Sequence, residues 1–361
     1  MREACLYEGI CADIKRLIAA GSLQPGERIF SLSQLRDSYQ VSHITALRAM
    51  RELIGENIVE PRKGKGYFVR EGGRVSQGTI ACVTRPFRPA TLHDNYFNDV
   101  NQAIQRECMR RKINVLSPYC GYDLGDHFNE GEARKTIVGQ IIGLCDKVDG
   151  LLLDERIGDA LVRELRRKTN KPMVTVGRRG RAGIDSICPD NLDGARGVAE
   201  LCLKMNYKLF LVGKCQSGCC DNFDARTAGF LSALRANHVP EDRLFRFDFN
   251  LAPYEETLAA LEGRLGKLKT MIFSPMDCFA RWLADALAEK GAVLGREVGV
   301  TGFDGIGYSD FKRPHVATVD VRPSLIGAKA VEVLVDRIEG RSMEPPGVHV
   351  VPSVFKMGDT I

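Results

Sequence analysis

Four cations fall within nine residues of the stretch VEPRKGKGYFVRE, residues 59–71: Arg62, Lys63, Lys65 and Arg70. Gly64 and Gly66 flank Lys65, and the stretch then turns apolar at Tyr67, Phe68 and Val69. Glycine lets a backbone turn tightly and pass close to another molecule, and ammonium groups neutralise phosphate. The chemistry on offer is a sequence-independent grip on a nucleic-acid backbone. A solvated charged hairpin has the same composition, so the residues ahead of the turn must decide between the two.

Those residues supply a context. Leu6, Ile10, Ile14, Leu17 and Ile18 recur at helical spacing and predict a helix over 4–20. Gly21 and Pro25-Gly26 end it. Ser31 is placed to cap a short second helix, with Gln34 as its capping-box partner, and Ser42 to cap a third that runs to about Ile54. Ile44, Leu47, Met50 and Leu53 are its expected inward positions. Ile58–Pro61 and Tyr67–Val69 then make two strands around Lys63-Gly64-Lys65-Gly66. Helix, helix, turn, helix and hairpin is the order of an α+β winged helix-turn-helix. Its third helix enters a major groove and its wing rests on the backbone or the minor groove. The expected DNA contacts are Ser31, Ser42, His43, Thr45 and Arg48, with Arg62, Lys63, Gly64, Lys65 and Gly66 in the wing.

From Leu6 to Val69 the chain resembles the N-terminal domain of GntR-type bacterial transcription regulators. The resemblance is most specific in GSLQPGER (21–28), in Val41-Ser42 followed by Thr45, and in GKGYFV (64–69). It implies a domain over residues 1–70 that binds double-stranded operator DNA. Two features depart from the family. FSLSQL (30–35) replaces its Pro-Ser and acidic-Arg pair, and His43 and Leu47 stand at two arginine positions that commonly touch DNA. Arg48 and Arg51 remain on the same helix, on other faces.

The totals bound the rest. A chain of 361 residues calls for two or three domains, and 44% hydrophobic with 27% charged residues is ordinary for a globular protein. The net charge of +5 is only mildly basic; within the first 70 residues, 11 Lys and Arg face 8 Asp and Glu. No signal peptide or membrane-length apolar run is visible, and 12 cysteines without an export signal suit a reducing cytoplasm. Cys215, Cys219 and Cys220 cluster without a second cysteine group or nearby histidines, so neither a metal site nor a cofactor is expected.

Residues 71–78 are polar and glycine-containing and read as a linker. Beyond them strands and helices alternate: strands at 79–84, 113–119, 148–153, 172–177, 209–213, 271–273 and 298–304, and helices at 95–111, 130–145, 158–169, 224–237 and 277–290. Apolar strands between amphipathic helices predict parallel α/β sheets covered on both faces, over a span long enough for two lobes.

The blocks NYFNDVNQAI, VDGLLL, PMVTVG, DNLDGARGVAELCLKMNYKLFLVG, ARTAGFLSAL, VGVTGFDGIG and VRPSLIGAKAVEVLVDRI resemble, in this order, the effector-binding domain of LacI-type repressors. That domain is similar to periplasmic sugar-binding proteins. The resemblance covers about 79–358. It implies a two-lobed α/β periplasmic-binding-protein-like domain over 79–361, with parallel sheets and three crossovers. On the family's pattern lobe 1 takes about 79–177 and 305–321, and lobe 2 about 180–302 and 323–361. The ligand would sit between them at the carboxyl ends of the strands.

Position by position, Asp304 matches the family's sugar-hydroxyl acceptor and Arg226 its ligand-binding arginine; a lobe-internal ion pair is the alternative for both. Phe249 falls near an aromatic that packs on the sugar ring. Asp154 follows the GLLL strand toward the cleft, Asp277 is a ligand contact or a helix cap, and Tyr96 and Phe97 wall the pocket from a first-lobe loop. Arg178, with Arg85, Arg88, Arg179 and Arg181, offers guanidinium groups to an acidic ligand; solvation, or pairing with Asp185 and Asp190, is the plainer reading and leaves a neutral sugar.

The function implied is a cytoplasmic, homodimeric, ligand-responsive transcription regulator, more readily a repressor induced by its sugar than a corepressed one. It is not expected to be an enzyme or to meet a membrane. The competing classes are an enzyme on a GntR-fused scaffold and a solute-binding transport component. The chain lacks a G-x-S-x-G motif, and a missing export signal weighs against transport.

Overall fold

The computed structural model of the chain describes residues 2–19, 21–55, 58–62, 64–70, 78–84, 95–118, 131–180, 182–214, 221–248, 254–306, 313–342 and 344–361. The first unit is α1 (Arg2–Ala19), α2 (Leu32–Tyr39) and α3 (His43–Gly55), followed by the antiparallel pair β1 (Val59–Arg62) and β2 (Gly66–Val69). Both expected caps form. Ser31 Oγ accepts from the Gln34 N–H at 3.2 Å while Gln34 Oε1 accepts from the Ser31 N–H at 2.8 Å. Ser42 Oγ accepts from the Thr45 N–H at 3.1 Å.

Ile10, Ile14, Leu35, Met50 and Leu53 fill the core of this unit. The phase of α3 differs from the expectation. Ala46 and Ala49 turn inward with Met50 and Leu53, and Ile44 lies outside. The buried set has the i, i+3, i+4, i+7 spacing of one helix face, and Ile44 stands about 200° around the helix from Ala46. The expected linker lies outside the described residues over 71–77.

The remainder is two α/β lobes. The first holds β3 (Thr79–Val83), α4 (Asn95–Arg111), β4 (Asn114–Leu116), α5 (Gly131–Leu144), β5 (Gly150–Asp154), α6 (Asp159–Lys168), β6 (Met173–Val176) and β7 (Asp185–Pro189). The chain crosses to the second lobe for α7 (Asn191–Lys204), β8 (Leu209–Lys214), α8 (Asp221–Ala236), β9 (Leu244–Asp248), α9 (Tyr254–Glu262), β10 (Thr270–Phe273), α10 (Asp277–Glu289), β11 (Val298–Thr301) and β12 (Thr318–Asp320). It returns for α11 (Pro323–Ile338) and β13 (Val348–Val351), then crosses a third time into β14 (Val354–Lys356). The first sheet runs β13-β7-β6-β5-β3-β4 and the second β11-β10-β8-β9, all pairs parallel, while β12 and β14 pair antiparallel. β5, β6, β7, β10 and β11 are buried at every residue, as strands covered on both faces are.

The five helices expected beyond the linker all form, but the lobe boundaries are corrected. The sequence expectation puts 185–189 and 323–351 in the second lobe and 305–321 in the first. Instead β7 pairs with β6, β13 pairs with β7, and Ala330, Val331 and Leu334 of α11 enter the first-lobe core. Val319 and Val321 join the second-lobe core, and the Thr301–Ala317 and Asp304–Asp320 bridges tie β12 to that lobe. Membership of a lobe is set by long-range strand pairing, which local apolar pattern does not encode. Among the described residues no helix is long and apolar enough to cross a membrane, and no group of His, Cys, Asp and Glu is suited to a metal ion.

Candidate functional site

Two sites take shape, one on α3 and the wing and one between the lobes. His43, Ile44 and Arg48 are exposed along the first turns of α3. The Arg48 guanidinium lies 4.2 Å from the centre of the Tyr7 ring, which fixes it against α1. Thr45 is corrected: it is 5% exposed and its hydroxyl pairs with Ser42 Oγ at 2.8 Å, so it completes the cap instead of reaching a groove. Ser31 is likewise engaged in its capping box.

In the wing the Lys65 N–H donates to the Arg62 carbonyl at 2.9 Å and closes the turn. Gly64 at φ +74° and Gly66 at +105° hold the left-handed conformations that the turn requires. Lys65 is exposed at the tip. Arg62 is partly neutralised, with Nε 2.8 Å from Glu60 Oε1 and its guanidinium stacked on Phe68. Lys63 lies outside the described residues.

The cleft is built around Arg226 on α8. Its Nη1 lies 2.8 Å from Asp304 Oδ1 and donates to the Pro275 carbonyl at 2.7 Å, its Nε donates to Asn191 Oδ1 at 2.8 Å, and its guanidinium faces the Phe303 ring at 4.3 Å. The two residues that the resemblance singles out therefore meet, and they do so as the lobe-internal ion pair that was the alternative reading for both. Asn191 Nδ2 donates to Asn222 Oδ1 at 2.9 Å, and Asn222 Nδ2 donates to the Gly177 carbonyl at 2.8 Å and to Glu155 Oε2 at 3.1 Å. Gly177 and Glu155 belong to the first lobe and the rest to the second. A hydrogen-bonded chain thus crosses the cleft from Asp304 to Glu155.

The first-lobe wall is a shallow pocket, partly open to solvent, lined by Thr84, Tyr96, Phe97, Asp154, Glu155 and Gly177 among others. Tyr96 and Phe97 start α4 rather than lying in a loop, and they meet edge to face at 5.0 Å. The Tyr96 hydroxyl is buried and has no hydrogen-bond partner among the described residues. Burial, then the Glu155 and Asp304 carboxylates, push its pKa well above the ordinary phenol value, so it stays a neutral donor. Gly177 makes room for this crowding: a side-chain carbon there would stand 3.0 Å from Glu155 Oε2 and 3.2 Å from the Tyr96 hydroxyl. Asp154 accepts from the Arg156 N–H at 2.8 Å.

Asp277 and Arg178 serve the scaffold. Asp277 begins α10 without capping it. Its carboxylate accepts from the Thr318 hydroxyl at 2.5 Å and from the Ile306 N–H at 2.9 Å, so it braces the segment that carries Asp304. Burial, then the neighbouring Asp304 charge, raise its pKa to about 7. Arg178 pairs with Asp159 at the start of α6, and Asp185 is taken by Arg337 at 2.6 Å, so the plainer reading holds in kind for Arg178 with a different carboxylate. Phe249, Arg85, Arg88, Arg181 and the cysteines 215, 219 and 220 lie outside the described residues. Sequence reasoning missed Asn191, Asn222 and Glu155. The available signal was spacing: Asn222 precedes Arg226 by one helical turn, and Glu155 follows Asp154.

Comparison with known proteins adds to this geometry. Residues 6–69 match the family model described as bacterial regulatory proteins, gntR family, and residues 208–360 match a periplasmic binding protein-like domain. The HTH-type transcriptional repressor PurR of Actinobacillus pleuropneumoniae serotype 3 is 27% identical over 252 residues, 68% of this chain and 70% of that protein. PurR of Glaesserella parasuis is 25% identical over 275 residues, 72% of this chain and 74% of its own length. Among solved structures, a LacI family regulator from Enterococcus faecium with bound ribose superposes with a TM-score of 0.63 at 17% identity, covering 78% of this chain and 98% of that one. The lac repressor dimer bound to operator and the anti-inducer ONPF gives 0.63 at 18%, covering 80% and 95%. At such identities the superpositions speak for the fold, which is the LacI-like two-lobed one.

Proposed function

We propose that this chain, a gntR-type winged helix carried ahead of a LacI-type two-lobed body, is a ligand-responsive DNA-binding transcription regulator: a repressor whose operator binding is changed by a sugar-like small molecule. One observation carries the reading. A capped, solvent-facing α3 and the Arg226–Asp304 pair in an interlobe cleft lie on the same chain. The PurR relatives are repressors, and solved neighbours hold ribose, D-xylulofuranose or cellobiose.

The effector is a neutral sugar. Arg178 is engaged by Asp159 and Arg226 by Asp304, while Asp154, Glu155 and Asp304 line or face the cleft. Carboxylates accept hydroxyl protons and repel an anion. The Tyr96 hydroxyl supplies a donor. Ligand bridging both lobes favours the closed arrangement. The repressor acts as a homodimer on a palindrome, and closure changes the separation of its two reading helices. No catalytic step enters.

Fluorescence anisotropy on duplexes from upstream of the regulated genes tests this, with and without each of a panel of sugars. A specific duplex whose affinity changes at least tenfold with one sugar is the expected result. Binding indifferent to DNA sequence and to every sugar would overturn it.

A further inference from the structure

Ile44 is 77% exposed, yet it is the second residue of the helix proposed to enter the groove. Single apolar residues on a surface are ordinary. The position of this one is not, because the N-terminal residues of a recognition helix are those that touch base edges. The Ser42 cap fixes that turn. One turn further on, Leu47 is half-buried and Arg48 is exposed. His43, Arg48 and Arg51 are exposed on the same helix, and Arg48 and Arg51 fall within about 40° of Ile44 around its axis. An apolar residue among cations on one helix face is complementary to a phosphate-lined groove that has an apolar group on its floor. The thymine C5-methyl is the apolar group that the major groove presents.

We propose that Ile44 reads a thymine in each operator half-site through its C5-methyl group. This rests on the regulator reading above and adds a specificity-determining residue to it. Isoleucine has no donor or acceptor, so guanine, adenine or cytosine at that position would leave polar edges desolvated and unpaired. With Leu47 beside it, this face holds no bidentate guanine reader at its centre.

The test uses the full-length protein and a duplex selected from random sequence. Each thymine is replaced singly by deoxyuridine, which removes the methyl group and nothing else. For the wild type, one thymine per half-site should show a loss of about fourfold, the value of one buried methyl group. Ile44→Ala should abolish that loss at that position and leave the melting temperature unchanged. Lys65→Ala should weaken all duplexes alike and keep the uracil penalty. If the penalty is equal in wild type and Ile44→Ala at every thymine, Ile44 does not read a methyl group and the inference fails alone. It fails in the same way if Ile44→Ala changes only the oligomeric state in sedimentation. If no duplex is bound specifically, the regulator reading fails and takes this inference with it.

Discussion

Arg226 Nη1 stands 2.8 Å from Asp304 Oδ1, and Asp304 holds that place with a backbone φ of +125°. A non-glycine residue in that region is strained, and such strain persists only where its surroundings over-determine it. Here the Asp304 N–H donates to the Val319 carbonyl at 2.9 Å, and Asp277 secures the following residues through Ile306. These bonds hold the strained residue and keep its carboxylate beside Arg226. Asp304→Asn should weaken effector binding by roughly 10- to 100-fold, the worth of a charge-assisted hydrogen bond. Operator affinity without effector should be unchanged. Calorimetry with the effector and anisotropy with DNA measure the two; unaltered effector affinity would remove Asp304 from the site.

Asn222 links the lobes, donating to Gly177 and to Glu155. Two hydrogen bonds at about 1 kcal/mol each bias the open–closed equilibrium by roughly thirtyfold. Asn222→Ala should therefore enlarge the radius of gyration in solution scattering without ligand, and raise the effector concentration needed for response. Scattering and response identical to wild type would show that the lobes are held by other contacts.

On the proposed reading the wing grips phosphate, and replacing Lys63 and Lys65 together with alanine is expected to remove two such contacts. The slope of log affinity against log salt should flatten by about 1.8 while the preferred sequence stays the same. A slope that does not change would place the wing away from phosphate.

Asp185 is the staple of the C-terminal return. Arg337 Nε lies 2.6 Å from its carboxylate, the Gly347 N–H donates to it at 3.0 Å and His349 Nε2 lies at 3.1 Å. Burial alone would raise its pKa, but Arg337, the Gly347 N–H and His349 outweigh it and hold the carboxylate below its ordinary value. A lowered folded pKa contributes stability above the unfolded value of about 3.9, and that stability is lost as pH falls through the folded one. Asp185→Asn should destabilise the protein by about 3 kcal/mol near neutrality. Its deficit against wild type should shrink below about pH 4. Denaturant melts across pH measure this, and a deficit that is constant with pH would contradict the ionic account.

Effector charge is testable by melting temperature. A neutral sugar at a hundred times its Kd stabilises by about 2.7 kcal/mol, and the shift should vary little with ionic strength. Arg178→Gln should leave it intact, because Arg178 is spent on Asp159. Shifts by acidic sugars alone, abolished in Arg178→Gln, would reverse the assignment of a neutral ligand.

What could be read from the sequence was local, or was carried by family pattern. The Ser31–Gln34 and Ser42–Thr45 caps join residues three apart, so the spacing alone specifies them. The wing follows from its glycines and its β-prone apolar end, and five of the eight described lobe helices were read from the sequence, while α7, α9 and α11 were not. Arg226 and Asp304 were found through the resemblance, and the structure brings them into contact. Tertiary structure alone decided the rest. Asp185 and Arg337 lie 152 residues apart, and contacts over such distances place α11 and β13 in the first lobe. Packing of α3 on two neighbouring helices chose its alanine face and left Ile44 outside, where hydrophobicity alone would put it in. The partners that engage Arg178 and Asp277 depend on how distant segments pack within each lobe, and the Asn222 bridge to Glu155 depends on the two lobes meeting. Local composition carries propensity; contacts between distant segments are fixed only when the chain has packed.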